Sequence, residues 1–180
     1  MTAPYSQADI LAALSAQSAL PRTTPTYPFS SFPTPLLQLT NSVPEDKSES
    51  PKTNGRKVYC PREGCGSVIM QAGVGNWLDV PGAVLPDDPE SPFPPAQPPH
   101  AAWHVPNGPF EFDNIGFSRP DASASPLPAH APGYSAEKKV KWLICGECDL
   151  GPLGWSYEGG KDAWLGVERV RYGEGKKPLE

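Results

Sequence analysis

Four cysteines stand in two close pairs, Cys60 and Cys65 in CPREGCGS and Cys145 and Cys148 in CGECD. Thiolates are soft ligands, and paired cysteines on short loops are how a chain presents several of them to one metal ion. Four sulfurs fill a tetrahedral coordination sphere and leave no open position. The expected ion is therefore a structural zinc, Zn2+, with Zn–S distances of about 2.3 Å. Gly66 and Gly146, beside the ligands, are expected to allow tight turns that point backbone N–H groups at the sulfurs. The two pairs are about 80 residues apart, a span whose closure is entropically expensive. Metal binding on the order of 10 kcal/mol would make the body depend on the ion for folding.

Other chemistry has little material to work with. All four cysteines are taken by the metal, leaving no reactive thiol, and neither G-x-S-x-G nor G-x-x-x-x-G-K-[ST] occurs. His100, His104 and His130 lie in or beside proline-rich stretches and are expected to be solvated, with His104, next to Trp103, able to line a surface groove. Glu147, Asp149 and Glu168 are expected as solvated charges at strand ends. Two features are less well explained by packing alone. The run PFEFDNIGFS carries Phe110, Phe112, Ile115 and Phe117. As a regular strand it would put Phe110 and Phe112 on one face and Ile115 and Phe117 on the other, unless a bulge near Asn114 or Gly116 re-aims a pair. Glu147 stands between two ligands, where a tight knuckle must turn it outward, and an acid on a rigid knuckle is a good contact for a protein partner.

These groups must be positioned by short elements. The spacing predicts strands over Lys57–Cys60, Ser67–Ala72, Asn76–Val80, Ala101–Val105, Phe110–Ser118, Val140–Cys145, Leu153–Tyr157 and Trp164–Tyr172, giving a mainly β body. Lys139, Lys141 and Leu143 alternate with Val140, Trp142 and Ile144, the pattern of a half-buried strand. Residues 1–54 read as a disordered extension, with a short helix starting near Ser6 through Ile10, Leu11 and Leu14 and a linker over residues 41–54. Residues 55–175 form the zinc-binding domain. Of 25 prolines, all but Pro51, Pro61, Pro152 and Pro178 fall within residues 1–50 and 81–132. Proline lacks a backbone donor, so the loops Pro81–His100 and Pro120–Ala136 are expected to be disordered insertions.

Charge narrows the class of partner. The formal net charge is −5, and Asp79 to Asp121 holds seven acids against one base, Arg119. No basic block tracks a phosphate backbone, which excludes a nucleic-acid binder and suits a basic protein partner. No signal peptide or membrane span is expected.

The motifs CPREGCGSVI, WHVPNGPFEFDNIGF, KWLICGECDLGPLGW and WLGVERV, in this order, resemble the Mss/Dss family of zinc-binding Rab guanine-nucleotide release factors, the suppressor-of-Sec-four proteins. The resemblance covers the motifs from Lys57 to Val170 and omits the extension and the proline-rich insertions. It implies an Mss-like β-tent with the zinc at one edge. It also implies binding to a Rab-family GTPase in its nucleotide-free form and promotion of nucleotide release, as exchange factor or chaperone in vesicular transport, with no covalent catalysis. On this likeness the ligands are Cys60, Cys65, Cys145 and Cys148, and the GTPase surface is Phe112, Asp113, Asn114, Ile115, Phe117 and Glu147. The protein is expected to be a cytoplasmic monomer, peripheral to secretory membranes through its GTPase. Three departures stand out: the first pair has two residues more than the family's C-x-x-C, Glu147 replaces an aspartate, and Pro106 to Pro109 carries a small insertion before the aromatic strand. Alternatives are an inactive tent protein like the methionine-R-sulfoxide reductases, or a zinc-ribbon interaction module. The first class needs a further catalytic residue, usually a cysteine, and the acidic middle disfavours the second.

Overall fold

The structure is a computed structural model and describes residues 6–8, 11–12, 24–41, 50–87, 91–121 and 127–175. It is mainly β. Among the described residues ten strands pair antiparallel in two sheets. β1 (Tyr27–Pro28), β10 (Arg171–Tyr172), β2 (Val58–Tyr59) and β3 (Val68–Met70) form the first, in that spatial order. The second runs β4 (Asn76–Asp79), β5 (Ala101–Val105), β9 (Ala163–Gly166), β8 (Gly154–Tyr157), β7 (Val140–Cys145) and β6 (Ile115–Phe117). Among the described residues helix is limited to residues 7–8 and 11–12 and to single turns, α1 (Pro35–Leu39), α2 (Gly108–Glu111) and two 3-10 turns at Phe29–Ser31 and Val167–Arg169.

Both sheets contribute to one apolar core. Val58, Ile69, Met70 and Tyr172 from the first meet Trp103, Val105, Leu143 and Leu165 from the second. Successive strand residues point to opposite faces, so the second sheet buries a second set of side chains on its far side: Ala102, Val140, Trp155, Tyr157 and Trp164. Strand β7 is therefore not half-buried as its alternation predicts. Val140 packs on the far side while Leu143 and Cys145 pack in the main core. Strands in such a sheet must approach closely, and Gly154 is where this is tightest: a Cβ there would lie 2.1 Å from the Trp164 carbonyl oxygen.

The cover over the far face comes from the proline-rich insertions. Of the stretches expected to be disordered, the described residues 81–87, 91–100 and 127–136 include buried Val84, Leu85, Leu127 and Ala131, with Phe93 in the main core. Proline cannot serve a sheet ladder, but nothing prevents such a segment from lying over a sheet face and burying its apolar residues. Arg169 holds the first insertion down. Wholly buried, it sits 4.4 Å over the Phe93 ring and donates to the carbonyl oxygens of Pro86, at 2.8 Å, and Pro152. His130 and Trp155 tie the second insertion through the Ala83 and Pro132 carbonyls.

The body also takes in residues ahead of position 55. Phe32 and Leu39 are buried in the main core, β1 pairs with β10, and Arg56 stacks over Phe32. Asn54, at the end of the expected linker, is fully buried. Its side chain donates to the Arg56 and Gln71 carbonyls, each at 2.8 Å, and accepts from the Gly75 N–H at 2.8 Å. The helix expected near Ser6 lies mostly outside the described residues.

Two predicted strands are broken. Phe110–Ser118 is not one run: Asn107 adopts a left-handed conformation (φ 59°) and Pro109 stands in the first turn of α2, leaving only Ile115–Phe117 as strand. Proline in the first turn of a helix loses no needed donor, which is why the turn forms here. Likewise Trp164–Tyr172 divides into β9, a 3-10 turn and β10, which belong to different sheets.

Candidate metal centre and partner surface

Each cysteine pair is set at the end of a strand. The first knuckle closes the hairpin of β2 and β3, with the Cys60 N–H donating to the Ser67 carbonyl at 2.8 Å. Its two additional residues are accommodated by Gly64 and Gly66, both left-handed, at φ 80° and 59°. Gly64 is exposed and faces open space, so the longer loop bulges outward without displacing its ligands. The second knuckle closes β7 onto Leu150, whose carbonyl accepts from the Cys145 N–H at 2.9 Å, while Cys145 accepts from Asp149 at 2.9 Å.

The knuckles bring the four sulfurs together. None is in a disulfide, and all four lie within 4.8 Å of one another. Cys60 Sγ is 3.6 Å from Cys148 Sγ, and Cys65 Sγ is 3.9 Å from Cys145 Sγ. A metal ion bound tetrahedrally at about 2.3 Å from each sulfur would hold its ligands roughly 3.8 Å apart, so the cluster is placed to hold one metal ion. The electrostatics agree with a site that needs a cation. Burial pushes the Cys60 and Cys145 thiols up, against the thiolate form. At Cys65 burial also raises the thiol, but hydrogen bonds from the backbone and hydroxyl of Ser67 outweigh it and bring it below the ordinary range. The sulfurs' backbone donors are at Arg62, Ser67, Glu147 and Cys148. The Gly146 N–H itself goes to the Asn114 carbonyl at 2.9 Å.

That bond links the metal knuckle to the aromatic segment. Residues 112–117 run beside β7, with Ile115 opposite Cys145 and Phe117 opposite Leu143. Phe112 and Phe117 lie with ring centroids 6.4 Å apart, both partly buried against the core, and Lys141 stands 5.2 Å over Phe117. Asp113 and Asn114 are exposed but tied down: the Asp113 N–H donates to Ile69, its carboxylate accepts from Gln71 at 2.6 Å, and Asn114 Nδ2 donates to Val68. Glu147 is exposed on the knuckle. Thus Phe112, Asp113, Asn114, Ile115, Phe117 and Glu147 belong to one continuous region fastened to β3, β7 and the second knuckle. Phe110, on α2, stands out from it, 90% exposed. Sequence reasoning misses Gln71, which fastens this region, and Ser67, which hydrogen-bonds the Cys65 sulfur in the first knuckle. The Ser beside a ligand glycine was the only available signal.

The histidines stay apart from the cysteine cluster. His104 pairs with Asp162 at 2.8 Å and stacks on Trp164. Glu168 is half-buried rather than solvated, and burial raises its carboxyl.

Comparison with known families matches residues 53–172 to the family model described as Mss4 protein. The match runs from ahead of β2 to the end of β10 and takes in both knuckles and the aromatic segment. With most of the folded body matched and the cysteine cluster inside it, the chain belongs to the Mss4 family.

Proposed function

We propose that this chain binds a Rab-type small GTPase, tighter when the GTPase is empty than when it holds nucleotide, and so promotes guanine-nucleotide release in vesicular transport. Family membership supports the class of activity. The observation that carries the reading to particular residues is the Gly146 N–H to Asn114 hydrogen bond, which couples the aromatic segment to the knuckle bearing Glu147. In this reading Phe112, Asp113, Asn114, Ile115, Phe117 and Glu147 touch the GTPase.

Cys60, Cys65, Cys145 and Cys148 would hold a structural zinc, and what it would supply is cross-linking of the two knuckles. The residues do the rest. Fixing Glu147 and the aromatic segment before encounter lowers the ordering cost of binding. No covalent step is involved: a ligand shifts a conformational equilibrium only by its differential affinity, and each tenfold preference for the empty form amounts to about 1.4 kcal/mol. A sulfoxide reductase would need a thiol beyond the four in the cluster, and the chain has four cysteines. The protein works as a cytoplasmic monomer that meets secretory membranes through its GTPase. Among the described residues no helix is long and apolar enough to cross a membrane.

The test is a panel of Rab GTPases loaded with a fluorescent GDP analogue, with release followed on adding the protein. Faster release from some members, and a stable complex with the same members after nucleotide is stripped, are expected. No acceleration and no complex with any member would overturn the reading.

A further inference from the structure

A groove of about 1050 Å³ lies between the segment around β1, the first knuckle and the proline-rich insertion. None of residues 112–117 and not Glu147 lines it. Its walls come largely from segments outside the family motifs, residues 28–35 and 92–99.

Nine of its twenty lining residues are proline. Proline has no backbone N–H, so these walls cannot serve as the edge of a sheet for an incoming strand. They offer rings instead: Phe29, Phe32 and Phe93 line the same groove. Ring-lined grooves of this kind suit a polyproline II segment, which has no internal hydrogen bonds to satisfy and arrives with little entropy to lose.

The charges add a second requirement. Glu168 lines the groove. It is half-buried, its carboxylate accepts from its own backbone N–H and feels the Arg169 and His100 side chains electrostatically, but among the described residues no cation lies within salt-bridge distance of it. The nearby cations are otherwise placed. Arg169 turns its guanidinium to the Pro86 and Pro152 carbonyls. Arg171 donates to the Thr26 hydroxyl and carbonyl. Arg62 is exposed beside Glu63 at the end shared with a smaller cavity. A carboxylate in an apolar groove without an ion-pair partner is completed by a cation from the occupant.

We propose that this groove binds a proline-rich peptide in the polyproline II conformation, with a lysine or arginine of that peptide paired to Glu168. The site is separate from the GTPase surface and does not depend on it.

The experiment uses the full chain with metal bound. A fluorescein-labelled synthetic peptide with two Pro-x-x-Pro turns and a flanking arginine is titrated by anisotropy, against the same peptide with alanine for proline, the same peptide with glutamate for arginine, and oleate. Saturable binding of the first peptide, at least about tenfold tighter than both control peptides, is expected. Glu168→Gln is expected to weaken it about fivefold or more and to leave GDP release from a responsive Rab unchanged. On the unaltered protein, NMR shifts caused by the peptide should centre on Phe29, Phe93 and Glu168 and spare residues 112–117, which tests the site without a variant. Equal binding of the control peptides, binding of oleate with no peptide binding, undiminished affinity in folded Glu168→Gln, or shifts outside the groove would each overturn the proposal. Because nucleotide release is read separately, loss of either function is told apart from loss of the other.

Discussion

Asn54→Ala should destabilise the body more than any surface substitution, although position 54 lies just inside the family match and reads as linker. The side chain makes three hydrogen bonds, to the Arg56 and Gln71 carbonyls and from the Gly75 N–H, and the residue is fully buried. Truncation leaves all three backbone groups behind. Gly75 is buried, so its N–H loses its partner in a place water does not reach, which costs about 1–3 kcal/mol. Gln71 is exposed and Arg56 half-exposed, so their carbonyls recover part of the loss from solvent, at about 0.5–1 kcal/mol each. The sum is about 3 kcal/mol, or a fall in melting temperature of roughly 10 °C for a body of this size. Asn54→Asp should be no better, because it keeps the acceptor for Gly75 but points a second oxygen at two carbonyls. Urea unfolding followed by near-UV CD, at one fixed free zinc concentration, gives the difference; the metal must be held constant because it binds only the folded form. A loss below about 1 kcal/mol for Asn54→Ala, or an Asp variant as stable as the parent, would refute the argument.

Three further outcomes are expected. A strong chelator should unfold the body, because binding on the order of 10 kcal/mol is comparable with the whole stability of a domain; a chain that keeps its near-UV CD and contains no metal by native mass spectrometry contradicts this. Arg169→Met should cost about 2–4 kcal/mol, from two lost carbonyl partners and the Phe93 contact, and should speed proteolytic cleavage within residues 81–100 at unchanged metal content. Glu168→Gln should stabilise the protein at neutral pH. Burial raises the folded-state carboxyl, so folding favours the protonated form, and ionisation costs stability as pH rises through the folded value. The gain from Gln should vanish as pH falls below the ordinary carboxylate range, and a constant gain at all pH values would exclude this origin.

Much of the scaffold was legible in the chain because it rests on local pattern. Both cysteine pairs announced themselves by spacing, and the glycines of CPREGCGS and GPLGW marked places where backbone must turn or come close. Six of the eight predicted strands, those starting at Lys57, Ser67, Asn76, Ala101, Val140 and Leu153, hold a structural strand of the same run. What stayed hidden depends on partners distant in sequence. Nothing near Arg169 says that its guanidinium reaches the carbonyl of Pro86, and nothing near Asn54 says that it closes on Gly75. The insertions looked like excursions because proline removes the periodic signal, yet Val84, Leu85, Leu127 and Ala131 find a sheet face to cover. The aromatic segment misled for a local reason: alternation in PFEFDNIGF masks the left-handed Asn107 and the helical turn begun at Gly108. The Asn114 to Gly146 contact, which joins that segment to the metal knuckle, is a register effect of β6 on β7 and has no sequence signature.

The central claim is that the metal-fixed knuckle and the aromatic segment together touch an empty GTPase. It is tested most directly by measuring the affinity of a responsive, nucleotide-stripped Rab for the parent and for Phe112→Ala/Glu147→Ala, each confirmed to keep its metal and near-UV CD. Two central contacts at about 2 kcal/mol each predict a loss of several hundredfold or more. Unchanged affinity in the folded, metal-bound variant would contradict the account.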